Sequence, residues 1–310
     1  MELVVVCLGG NALMPPVSRF SIEEQDNTIA ETCKLLVKLV DRGYRLVIVH
    51  GNGPQVGARI EQCLAARELM KPFPLDVLDA ETQGQIGYMI QKHLASLLAS
   101  RRGFRGCVTV VTQVVVDPED EAFKKPTKPV GRALSREEAE HLAREGWSLV
   151  EEVGRGYRRV VPSPKPVKVV ETDAVRTLVE AGFIVVAGGG GGIPVVEADS
   201  KLMGAEAVID KDRTAAKIAI ELGADLLLIL TDVDCVYVNF RKPGEKPIRR
   251  MTAKEARELL ARGEFPPGNM GPKVEACIEF AEATGNPAAI GHLSKPVETA
   301  EGKAGTMIVP

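Results

Sequence analysis

Three lysines stand where an ammonium group could be held against a phosphate. Lys128 lies in Lys125-Pro126-Thr127-Lys128-Pro129-Val130-Gly131, whose two prolines stiffen the backbone around it. A solvated lysine in a proline loop is the competing reading. Lys211 sits between Asp210 and Asp212 at the expected start of a helix. Acidic residues there serve as plain caps, or as carboxylates that steer neighbouring ammonium groups while the helix terminus receives phosphate. Lys273 closes Pro267-Gly268-Asn269-Met270-Gly271-Pro272-Lys273, with Pro272 in the first turn of a helix running through Cys277 and Phe280. This stretch suits phosphate chemistry, or is an ordinary loop-to-helix junction. Thr231-Asp232-Val233-Asp234 reads equally as a polar turn or as a place for Mg²⁺ or nucleotide.

Glycines supply the complementary half of such a site. Gly188 to Gly192 follow the apolar run Phe183–Ala187, and two shorter turns, Gly9-Gly10-Asn11 and Gly51-Asn52-Gly53-Pro54, also follow β-branched runs. A glycine turn at the carboxyl end of a strand lets the main chain approach a ligand, and its successive N–H groups form an anion-binding concavity. Glycine amides and lysines together point to phosphoryl transfer, which needs positioning and cationic neutralisation more than covalent help. The chain carries no Gly-x-x-x-x-Gly-Lys-Ser/Thr loop and no Gly-x-Gly-x-x-Gly fingerprint. Gly-x-Ser-x-Gly and His-Glu-x-x-His are likewise missing, which leaves hydrolase readings without a foothold.

Strand-like runs that could position these turns fall at Leu3–Leu8, Leu46–Val49, Cys107–Val116, Phe183–Ala187, Leu226–Leu230, Ala288–Ile290 and Thr306–Val309. They alternate with helical patterns. One helix opens at a Ser21-x-x-Glu24 capping box and ends at Gly43, and others span Asp76 to Leu98 and Asp212 to Leu222. This βαβα rhythm predicts an α/β fold with a mostly parallel sheet covered on both faces, spanning residues 1–310 as one domain. Between Asp117 and Pro166 the rhythm breaks. Prolines, a short helix capped at Ser135 with Glu138, and a basic Val153–Val161 strand predict a small inserted subdomain or lid.

A formal net charge of −3 gives no electrostatic case for nucleic acid. No apolar run approaches the roughly 20 residues needed to span a bilayer, and the Met1 start lacks a signal-peptide n-region, so a cytoplasmic protein is expected. Six scattered cysteines without Cys-x-x-Cys predict buried free thiols, and four scattered histidines give no support for a zinc site.

Val49-His50-Gly51-Asn52-Gly53-Pro54-Gln55-Val56-Gly57, Ile209-Asp210-Lys211-Asp212, Thr231-Asp232-Val233-Asp234-x-Val236-Tyr237-x-Asn239-Phe240 and Gly268-Asn269-Met270-Gly271-Pro272-Lys273 closely resemble the carbamate kinase family, essentially end to end. The resemblance implies a three-layer α/β/α sandwich, a homodimer, and reversible phosphoryl transfer between ATP and carbamate, giving ADP and carbamoyl phosphate. It places the chain in arginine metabolism, with Mg²⁺ accompanying the nucleotide and no metal ligands assigned to the protein. It implies that Gly9, Gly10, Asn11, Gly51 and Asn52 cradle the carbamate end and that Lys128 reaches over the same substrate. Lys211 and Lys273 resemble the family's phosphate-neutralising lysines, with Asp212 holding them. Gly188, Gly189, Gly190, Asp232, Tyr237 and Met270 would lie beside the nucleotide. Two positions discriminate further. Relatives within the wider amino-acid-kinase fold typically carry a lysine where this chain has Cys7, and Asn269 stands where the family pattern leads one to expect serine. Another kinase of the same fold, acting on an amino-acid carboxylate or a nucleoside monophosphate, is the second reading. A catalytically silent nucleotide sensor is the third, and retention of all three lysines argues against it.

Overall fold

A computed structural model of the chain describes residues 1–15, 20–152, 156–266 and 268–310. Its centre is an eight-stranded sheet in the spatial order Arg250–Thr252, Thr306–Val309, Ala288–His292, Leu226–Thr231, Leu3–Leu8, Arg45–His50, Ile184–Val186 and Cys107–Thr109. All neighbours run parallel except Ala288–His292 against Thr306–Val309. Leu3–Leu8 is buried at every position, as a strand covered on both faces must be. Its odd residues Leu3, Val5 and Cys7 pack with the helices Lys211–Leu222 and Met270–Thr284. Its even residues Val4, Val6 and Leu8 pack with Ile22–Asp41 and Leu75–Leu98. The two-residue side-chain period of one strand thus feeds two cores, and the molecule is an α/β/α sandwich.

Register brings the strand ends together. Leu8 pairs with both Leu230 and His50, so Gly9, Gly51 and Asp232 leave the sheet at the same carboxyl edge. That edge is where open α/β sheets bind ligands.

The expected Cys107–Val116 strand is two strands. Cys107–Thr109 ends the main sheet, whereas Gln113–Val116 joins a four-stranded sheet with Lys201–Gly204, Ile193–Ala198 and Pro166–Val169. The β-branched run continues through the crossing without Gly or Pro, so nothing in its hydrophobicity marks the change of sheet. The Gly51-Asn52-Gly53-Pro54 turn runs directly into a helix, Gly53–Ala65, with Pro54 in its first turn. Ser21 accepts from the Glu24 N–H as expected of a cap, while the full reciprocal box occurs at Ser135 and Glu138 and again at Thr252 and Glu255.

Within the stretch where the rhythm breaks lies a separate three-stranded antiparallel sheet ordered Lys128–Leu134, Gly156–Val161, Leu149–Glu152, with the helix Arg136–Arg144. The strand expected at Val153–Val161 begins at Gly156, and residues 153–155 lie outside the described residues. Ion pairs Arg132–Glu61 at 2.9 Å, Arg159–Glu206 at 3.3 Å and Lys128–Asp210 at 2.7 Å connect this sheet to the rest of the molecule. All six cysteines are free, five of them buried. No described helix is long and apolar enough to cross a membrane.

Candidate active site

Asp210 starts the helix Lys211–Leu222 by accepting the Asp212 N–H on its side chain. This cap turns the Asp212 carboxylate inward, where it is 2% exposed and would be a costly buried charge without partners. Three donors converge on it. Lys211 Nζ lies 3.0 Å from both oxygens, Lys273 Nζ donates to Oδ2 at 2.9 Å, and the Cys7 thiol donates to Oδ1 at 3.2 Å. Burial alone would raise the Asp212 pKa, but the two ammonium groups outweigh it and hold the carboxyl below the usual carboxylate range. Burial by itself would favour neutral Lys211. The Asp212 carboxylate reverses that and raises the pKa of Lys211 above its ordinary value. The trio carries a net +1 (two ammonium groups, one carboxylate), and Cys7 fits the core where another lysine would add a further charge.

Lys211 and Lys273 open onto a cleft of about 400 Å³ that Gly9, Gly10, Asn11, Asp232 and Asn269 also line. In the short helical turn after the first strand, the N–H groups of Ala12, Leu13 and Met14 bond back to Gly9 and Gly10 carbonyls. The Gly10 and Asn11 N–H groups have no acceptor among the described residues, which leaves them for an anion in the cleft. Asn11 Nδ2 donates to Asp232 Oδ2 at 3.1 Å, tying the turn after Leu3–Leu8 to the turn after Leu226–Thr231. Gly51 serves Lys211: a Cβ there would stand 3.1 Å from the lysine Cδ. Among the described residues no three His, Cys, Asp or Glu side chains converge on a metal position, and Asp232 is the one carboxylate on the cleft wall.

Asp232 and Asn269 also border a neighbouring, more apolar pocket with Tyr237, Phe240, Phe265 and Met270. The Tyr237 and Phe240 rings lie 5.6 Å apart, which makes an aromatic wall of the kind a flat heterocycle packs against. The remaining expected site residues are elsewhere. Lys128 begins its strand and is ion-paired with the cap residue Asp210, so it stands next to the trio without lining the cleft. Asn52 is buried, donating to Asp79 Oδ1 at 2.8 Å and Thr82 Oγ1 at 2.9 Å. Gly188, Gly189 and Gly190 are buried against Ile218, His50 and Asn52, and none lines either cleft. Asp210 and His292 carry no local sequence signal as site residues: the first reads as a neighbour of Lys211 and the second as one of four scattered histidines, though it ends the strand beside Leu226–Thr231 and lines the cleft.

The sequence pattern of the Amino acid kinase family matches residues 2–292. The carbamate kinase of Thermococcus kodakarensis is 46% identical across 100% of this chain and 99% of its own length, and that of Halobacterium salinarum is 47% identical over the same shares. The solved structure of the Giardia lamblia carbamate kinase bound to AMP-PNP superposes with a TM-score of 0.93 at 40% identity, covering 99% of this chain and 98% of that one. The chain belongs to the amino acid kinase family and, within it, to the carbamate kinases.

Proposed function

We propose that this cleft carries out reversible phosphoryl transfer between ATP and carbamate, with Lys211 and Lys273 as the groups that neutralise the transferring phosphoryl. The observation that carries the assignment is the Lys211–Asp212–Lys273 trio facing the free amides of Gly10 and Asn11 across one cleft. Charge spread over the phosphoryl oxygens in the transition state is met by donors already fixed in place, so little reorganisation is needed as the reaction proceeds. Asp212 fixes both ammonium groups at hydrogen-bond distance and takes no proton itself. The nucleoside fits the Tyr237–Met270 pocket, its phosphates directed past Asp232 and Asn269 towards the lysines. Carbamate then approaches from the side of Gly9, Gly51 and the inserted subdomain, where exchange of Asp210 for substrate would free Lys128 to reach over it.

In this reading Asp232 on the cleft wall would help hold Mg²⁺ brought in with the nucleotide, and the ion would supply charge that offsets the phosphates. Asp232 is the one carboxylate among the described residues that line this cleft, and the protein alone would hold such an ion weakly. The partner is a second copy of the chain, for which exposed Leu69, Met70, Phe73 and Tyr88 offer apolar surface; a monomeric mass by light scattering removes that proposal. A cytoplasmic setting agrees with six free thiols. Incubation of the pure protein with MgADP and carbamoyl phosphate should produce ATP, and ATP no higher than in an enzyme-free blank rejects the assignment.

A further inference from the structure

His50 ends the strand Arg45–His50 with its side chain fully buried, and it lines neither the cleft nor the apolar pocket. Its Nδ1 lies 2.9 Å from the Gly51 carbonyl oxygen. A carbonyl only accepts, so Nδ1 carries the proton. Burial pushes the ring pKa down to about 4, which leaves the imidazole neutral and Nε2 as a bare lone pair. Nε2 is buried without a partner, and it stands 2.6 Å from where a Cβ on Gly189 would be. The ring is thus wedged between two glycine turns, gripping one and backing the other.

Gly51 in turn is the surface on which the Lys211 stem lies, since any Cβ there meets the lysine Cδ at 3.1 Å. The Gly51 N–H is held by the Leu8 carbonyl at 3.3 Å, and its carbonyl is held by the imidazole, so both sides of this residue are fixed. We propose that His50 is a positioning residue for phosphoryl transfer, its Nδ1–H clamping Gly51 and thereby holding the platform that aims Lys211. This rests on the assignment of Lys211 to the transferring phosphoryl.

Isosteric substitution separates the two ring nitrogens. Asparagine at this position places an amide N–H near the Nδ1 site, whereas glutamine places one near the Nε2 site. His50→Asn should keep kcat within about 3-fold, while His50→Gln should lower it about 10-fold with the KM for ADP nearly unchanged, as expected for slight misplacement of a reacting group. In a Lys211→Ala background His50→Gln should cost less than 2-fold further, because the two act through one another. Equal losses for the two isosteres, or a full additional loss in the Lys211→Ala background, overturn the proposal. Wild-type turnover by Lys211→Ala alone rejects instead the underlying assignment of Lys211. Should the variants fold poorly, ¹⁵N-histidine NMR of the wild type decides: one histidine must show the Nδ1–H tautomer at pH 6, and four rings all protonated at Nε2 overturn the proposal.

Discussion

Two like charges held within 3.0 Å of one buried carboxylate make Asp212 the residue on which the site's electrostatics depend. Lys211→Ala or Lys273→Ala leaves that carboxylate one counter-charge and removes a donor from the cleft. Each should lower kcat for ATP formation by roughly 10²-fold or more while the protein stays folded, as for other groups that act mainly on the transition state. Steady-state kinetics beside circular dichroism checks this, and unaltered kcat in both variants removes their roles. Asp212→Asn removes the charge that holds both ammonium groups, so Lys211 and the buried Lys273 then repel without the carboxylate between them. It should impair folding as well as turnover, a difference from the single lysine variants that a thermal melt detects.

At the scale of elements, the longest glycine run and the shorter turns divide the labour differently from what their lengths suggest. A Cβ on Gly191 would meet the Ile209 carbonyl oxygen at 2.1 Å, and its φ of +99° is one that L side chains rarely adopt. Backbone cannot retreat as a flexible side chain can. Gly191→Ala should therefore cost roughly 2–5 kcal/mol of stability, measured by denaturant unfolding. Unchanged stability would mean that this turn is looser than the packing indicates. By contrast Gly51→Ala crowds only the Lys211 stem, and should lower kcat about 10-fold with little change in stability. From sequence, the glycine runs marked strand ends correctly, and the β-branched runs before them were legible because a two-sided buried strand reads as continuous apolar residues. Whether a glycine admits a ligand or a neighbouring side chain was not legible, since Gly51 and Gly190 look alike until Lys211 and Asn52 are seen beside them. The Lys211 and Lys273 motifs were visible separately. Their convergence through Asp212 depends on two helices packing side by side over one sheet, which no local pattern encodes.

For the molecule as a whole, one buried acid sets its stability against pH in a direction opposite to the catalytic trio. Asp79 lies in the helix Leu75–Leu98, fully buried, with Oδ1 accepting from Asn52 and Oδ2 without a partner. Burial pushes its carboxyl well above the ordinary carboxylate range. The Asn52 hydrogen bond works the other way, and the Asp76 and Glu206 carboxylates add to the rise. Above the unfolded value of about 3.9 the unfolded chain releases this proton while the folded chain keeps it, so folding loses stability as pH rises until the folded group also ionises. Asp212 behaves in reverse, since its lowered folded pKa gives stability at neutral pH that is lost on acidification. Asp79→Asn mimics the protonated acid and keeps an oxygen for Asn52. It should match the wild type near pH 4 and gain on it by about 1.4 kcal/mol per pH unit through the window where only the unfolded chain is ionised. The check is the difference between the two proteins' unfolding free energies at pH 4.5, 5.5 and 6.5, in which the contributions of every other titrating group cancel. A difference that stays flat across that range would mean that Asp79 is ionised in the folded protein, with a counter-charge or water reaching Oδ2.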